Sequence, residues 1–136
     1  MDQAQKLREM VYGGAPEAKE RARVLAVTSG KGGVGKTNLS VALALEASGI
    51  GRDVVLVDGD LGLANVDVIL DIQARYNLSH LLSGDATLEE TLVPAPGGLR
   101  VLPGAAGITR MADLSPPERQ LLLDSLDSLE QCTELM

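Results

Sequence analysis

The octapeptide GKGGVGKT, Gly30–Thr37, limits this chain more than any other stretch. It fits the spacing G-x-x-x-x-G-K-[ST]. An apolar run, VLAVTS (24–29), precedes it, and an apolar helical pattern, TNLSVALALEASG (37–49), follows it. A loop of this kind works at the junction of a strand and a helix. Its glycines permit positive φ and close approach of backbone to ligand. The backbone N–H groups of Gly33, Gly35, Lys36 and Thr37 would then meet phosphate oxygens. The positive end of the following helix adds to that attraction. Lys36 would neutralise β- and γ-phosphates, and the Thr37 hydroxyl would ligate Mg²⁺. The expected ligand is therefore a nucleoside triphosphate with Mg²⁺, held along Gly30, Lys31, Gly32, Gly33, Val34, Gly35, Lys36, Thr37 and Asn38.

The flanking pattern predicts an α/β fold. Residues 24–29 have the length and continuous apolarity of a buried parallel strand. The helix after the loop is apolar almost all round (Leu39, Val41, Ala42, Leu43, Ala44, Leu45), which predicts burial against a sheet. DVVLVD (53–58) is a second buried strand, completing a right-handed βαβ unit. After Asp58 a loop leads into a short helix. NLSHLLSG (77–84) and TLEETLV (87–93) read as short helices, residues 94–98 as a loop, and LRVLP (99–103) as a third strand. SPPERQLLLDSLDSLEQ (115–131) is a helix with a full start signal. Ser115 is the N-cap, Pro116 and Pro117 occupy the first turn, and Glu118 completes a capping box. Leu122, Leu126 and Leu129 form its buried stripe. At the other end, residues 2–12 form a short helix with Ala4, Leu7 and Val11 on one face, broken by Gly13, Gly14 and Pro16. The predicted organisation is a leader helix (1–14), a charged tether (15–23) and part of a nucleotide-binding domain (24–136).

Composition removes several classes of function. With 12 basic and 19 acidic residues the net charge is −7, so no direct grip on nucleic acid is expected. Two Tyr, with neither Phe nor Trp, leave little for base stacking. The single cysteine, Cys132, excludes an internal disulfide or an all-cysteine metal site. The apolar runs fall far short of the ~20 residues of a membrane span. The first residues lack the apolar core of a signal peptide, so a cytoplasmic protein is expected. His80 reads as a locally hydrogen-bonded histidine.

Asp58 and Asp60 flank Gly59 at the end of the second strand, the edge of a parallel sheet where ligands sit. Lys31, directly after the first glycine, is more than an ordinary phosphate loop needs. KGGVGKT resembles the deviant Walker A signature of the MinD/ParA ATPases. That resemblance implies a P-loop NTPase of the SIMIBI class, with a mostly parallel sheet flanked by helices. It implies catalytic roles for Lys31, Lys36 and Asp60. Lys31 would reach the partner's phosphates across an ATP-dependent homodimer, Asp60 would position the attacking water, and Asp58 would lie near the metal with Thr37.

DGDLGLANVDVIL (58–70) is similar to the corresponding stretch of the FlhG (FleN, YlxH) flagellar number regulators. The leader DQAQKLR matches their N-terminal motif through Asp2, Gln3, Ala4, Leu7 and Arg8. The resemblance implies ATP hydrolysis, control of flagellar placement and number, and stimulation by the leader of FlhF, a GTPase of the signal-recognition-particle type. It also implies flagellar basal-body partners and peripheral contact with the inner face of the cell membrane through a C-terminal helix absent here. Members of the family run to about twice this length. An apolar strand ending in an aspartate is expected after the 115–131 helix, and none follows it in this sequence. Two other readings remain: a MinD-type septum-site regulator, and a non-catalytic fragment whose activity lies in the leader alone.

Overall fold

Valine and leucine dominate Val54–Val57 and Leu99–Leu102, and these two runs form the centre of the sheet. The computed structural model describes residues 20–60, 65–105 and 113–136. Its elements in chain order are α1 (Lys36–Gly49), β1 (Val55–Val57), α2 (Val66–Leu70), α3 (Leu78–Ser83), α4 (Leu88–Thr91), β2 (Val93–Pro94), β3 (Arg100–Leu102) and α5 (Pro116–Cys132). A 3-10 turn, Pro96–Gly98, joins β2 to β3. The predicted leader helix and the first part of the tether lie outside the described residues.

β1 and β3 pair in parallel, with Val55 opposite Arg100 and Val57 opposite Leu102. β2 pairs antiparallel on the far side of β3, so the sheet is mixed. This strand was not anticipated, because Pro94 reads as a breaker. Proline is tolerated there because β2 is an edge strand. Alternation along the strands sends neighbours to opposite faces. Val55 and Leu102 join Leu78, Leu81, Leu122 and Leu129 on one face, beneath α3 and α5. Val54 and Val101 join Val41, Ala44 and Val66 on the other, beneath α1 and α2. Covered on both faces, β1 and β3 carry the continuous apolar runs such strands need.

Local start signals set the helices. Ser115 accepts from Glu118 N while the Glu118 carboxylate accepts from Ser115 N, the expected capping box. Asn77 and His80 form a second box, in which His80 Nδ1 accepts from Asn77 N at 3.2 Å. Thr87 and Glu90 form a third. The helical prediction for 87–93 shortens to Leu88–Thr91 because Val93 and Pro94 join the sheet.

The largest departure from expectation is the segment 24–29, which is not a strand among the described residues. Only its lower end is paired. Arg23 N donates to Glu134 O, Met136 N donates to Arg23 O, and Leu25 N donates to Met136 O. On the other side, Val55 N donates to Leu135 O. Residues 134–136 thus lie between the 23–25 segment and β1, bridging Arg23 and Val54 in parallel. Above Met136 the space between the two is open, a trough of about 320 Å³ lined by Leu25, Val27, Leu43, Val57, Leu126 and Met136. Val24 and Leu25 are nevertheless more than half exposed. Nor is α1 buried all round: Val41, Ala44 and Ser48 are buried, while Leu39 and Leu43 are exposed, Leu43 on the trough. Just before this segment, Ala22 is buried and its N–H donates to Glu130 O at 2.8 Å. No described helix is long and apolar enough to cross a membrane.

Candidate functional site

The phosphate-loop motif turns through two glycines and runs directly into α1. Gly33 and Gly35 have φ of 72° and 94°, the left-handed region that glycine occupies at no steric cost. Gly35 is the N-cap of α1, and its carbonyl accepts from Leu39 N. No side chain caps this helix, so its first N–H groups remain available to a ligand. No acidic residue occupies its first turn, which leaves the positive end uncompensated.

Two side chains brace the loop. Ser29 Oγ donates to Lys31 O at 2.6 Å, and Lys36 Nζ donates to Ser29 Oγ at 3.1 Å. Lys36 therefore lies back across the loop's entry. Ser29 has no motif position, and nothing in the sequence marks it for this contact.

The loop faces the chain that follows β1. Gly32, Gly33, Gly35, Lys36, Thr37 and Asn38 line a cavity of about 330 Å³ together with Asp60, Asn65 and Ile69. Asp60 is thus brought to the same cavity as Lys36 and Thr37. Asn65 and Ile69 were not anticipated, because no motif position marks them. Gly30, Lys31 and Val34 are exposed and stand outside this lining. The position of Lys31 on the outer surface leaves its side chain free of the cavity it helps to frame.

Asp58 also stands outside the lining, and it is 7% exposed. Its Oδ1 accepts from Asp60 N at 3.1 Å. Its Oδ2 accepts from Asn65 N at 3.2 Å and Val66 N at 3.4 Å. Burial pushes its carboxyl above the ordinary range, with the Asp60 charge acting in the same direction, while the three backbone donors pull it back. No group of three or more His, Cys, Asp or Glu side chains gathers to hold a metal ion among the described residues. A divalent ion here would rely on the Thr37 hydroxyl, ligand oxygens and water, the manner in which Mg²⁺ accompanies nucleotides. Asp2, Gln3, Ala4, Leu7 and Arg8 lie outside the described residues.

Known proteins resemble this chain in sequence and fold. The profile of the ParA family, described as NUBPL iron-transfer P-loop NTPase, matches residues 20–95, more than half of the chain. The antiactivator FleN of Pseudomonas aeruginosa is 43% identical over 114 residues, which is 84% of this chain and 41% of FleN. The flagellum site-determining protein YlxH of Helicobacter pylori is 43% identical over 89 residues, 65% of this chain and 30% of YlxH. Among solved structures, the septum site-determining protein MinD of Pyrococcus horikoshii, complexed with Mg-ADP, superposes with a TM-score of 0.68 at 29% identity. That match covers 84% of this chain and 46% of MinD. This chain therefore spans less than half the length of each of these three proteins.

Proposed function

Because the chain belongs to the ParA family of P-loop NTPases, we propose that it supplies the phosphate-binding half of a MinD-like ATPase that controls flagellum placement and number. The observation that carries this reading is one cavity that joins Gly33, Gly35, Lys36 and Thr37 to Asp60. The reaction is attack of water on the γ-phosphorus of ATP, with cleavage of the bond to the bridging oxygen, giving ADP and phosphate. The backbone N–H groups of the loop and the start of α1 hold the phosphate oxygens. Lys36 swings from Ser29 to the β- and γ-phosphates, where charge accumulates as the bond breaks. Asp60 orients the attacking water and accepts its proton. The Thr37 hydroxyl holds Mg²⁺, which when bound offsets the charge on the phosphate oxygens. Lys31, exposed and outside the cavity, is free to reach the phosphates of a second copy, as a dimer closed on ATP would require. Asp58, outside the cavity lining, would support a bound Mg²⁺ from behind rather than hold it directly.

The flagellar role rests on FleN and YlxH, which match a larger share of this chain than the septum-site MinD of Escherichia coli does. The leader residues Asp2, Gln3, Ala4, Leu7 and Arg8 act on an FlhF-type GTPase. Gln3 supplies an amide to orient the hydrolytic water, and Leu7 anchors the helix. The protein works in the cytoplasm and at the inner face of the membrane.

The test is fluorescence titration with a labelled ATP analogue and Mg²⁺. Lys36→Gln removes a charge-assisted contact worth about 1.5–3 kcal/mol, so affinity falls roughly ten- to a hundredfold. Unchanged affinity in the variant overturns the site. A peptide of residues 1–20 tests the leader, and it should speed GTP hydrolysis by the FlhF-type GTPase. The same rate with and without peptide removes that part.

A further inference from the structure

We propose that Asp58 is a positioning residue whose carboxylate clasps the backbone at both Asp60 and Asn65–Val66, and so fixes one wall of the phosphate cavity. The proposal rests on the ATPase reading and deepens it.

The geometry divides one carboxylate between two chain segments. Oδ1 serves Asp60, and Oδ2 serves Asn65 and Val66. Asp58 is itself anchored to the sheet, since its N–H donates to Leu102 O at 3.1 Å. The groups it holds are those that face the nucleotide: Asp60 and Asn65 line the cavity, and Val66 begins the helix that presents Ile69 to it. The Asn65 side chain makes no cap bond to α2, so the Asp58 carboxylate takes over that duty from a distance of seven residues in sequence. Val66 is buried against α1, which ties the same clasp to the helix that starts at the phosphate loop. Three N–H donors take up most of the roughly four lone-pair sites of this carboxylate, and Asp58 does not line the cavity in which a nucleotide's metal would sit.

Asparagine is the discriminating substitution. It keeps the shape of aspartate but turns one acceptor oxygen into a donor, which then faces an N–H group. Three quantities decide the matter: amide hydrogen exchange, affinity for the labelled ATP analogue with Mg²⁺ titrated, and turnover. In the wild-type chain the Asn65 and Val66 amides should be protected although they open a helix, where N–H groups lack intrahelical partners. In Asp58→Asn that protection falls about tenfold or more, nucleotide affinity stays within about threefold, and turnover drops roughly ten- to a hundredfold, as expected for misplaced reacting groups. Freely exchanging Asn65 and Val66 amides in the wild type overturn the clasp without need of any variant. So does an Asp58→Asn protein with unchanged exchange and a Mg²⁺ requirement raised about tenfold, which would make Asp58 a metal ligand. Lys36→Gln separates the two levels. Unchanged affinity in that variant removes the ATPase reading, whereas the exchange protection of Asn65 and Val66 reports on the clasp alone.

Discussion

The phosphate loop and the 24–29 segment adjoin in sequence and share the Ser29–Lys36 contact, yet they differ in what shapes them. The loop's glycines set their own φ, and Gly35 starts α1. The segment before it is as apolar as β1, yet above Leu25 no described backbone pairs with it and only Val27 is half-buried. Motif geometry is local and needs few residues. A parallel strand is stable only when chain distant in sequence lies beside it.

Two truncations of equal size should break this pair apart most widely. Leu129, fully buried beneath the sheet, should cost about 2–5 kcal/mol when changed to Ala, by transfer and cavity terms together. Leu25, 57% exposed on the trough, should cost under about 0.5 kcal/mol. Urea denaturation of both variants measures the difference, and equal losses would mean the trough is closed in solution.

A smaller effect separates two kinds of carboxylate by pH. Hydrogen bonds from the Ser115 side chain, and then its backbone, hold the Glu118 carboxyl below its ordinary value of 4.5. Its stabilising effect is present above that value and is lost as pH falls through the lower, folded one. Asp58 has the opposite sign. Burial raises its carboxyl above 3.8, so the folded chain binds that proton more tightly than the unfolded chain does. Ionised Asp58 therefore opposes folding, and that opposition fades as pH falls through its raised value. Stability measured from neutral pH to below 4.5 should decline less steeply in Ser115→Ala and more steeply in Asp58→Asn than in the wild type. At neutral pH, Ser115→Ala should also cost about 1 kcal/mol through the lost cap.

The smallest effect concerns Ser48, whose Oγ is buried without a hydrogen-bond partner among the described residues. Ser48→Ala should leave stability unchanged or raise it by up to about 1 kcal/mol, since an unpaired hydroxyl is removed. A clear loss in thermal denaturation would reveal a partner for it.

These cases show what was legible in advance. Ser115, Pro116 and Glu118 place the start of α5 because a capping box is written in consecutive residues. The glycine turn at Gly33 and Gly35 and the helix start at Lys36 were legible on the same ground. Val24–Val27 and Val54–Val57 look alike as strings of side chains, yet only the second is held in the sheet, because pairing depends on Arg100–Leu102 far along the chain. β2 escaped notice since Pro94 reads as a breaker until an edge is known. Asn65 and Ile69 carry no signal of their own, and only the tertiary fold shows them lining the cavity.

The three residues Glu134–Met136 are the only described backbone seam between the run-up to the phosphate loop and β1. The cradle thus hangs from two supports, the packing of α1 on the sheet and this short seam. Any free energy that binding at the loop spends on steadying its run-up is returned when the seam is already firm. Were phosphate binding to tighten the seam, thermodynamic reciprocity would require a tighter seam to strengthen that binding by the same factor. Residues 134–136 would then tune a cavity they do not line.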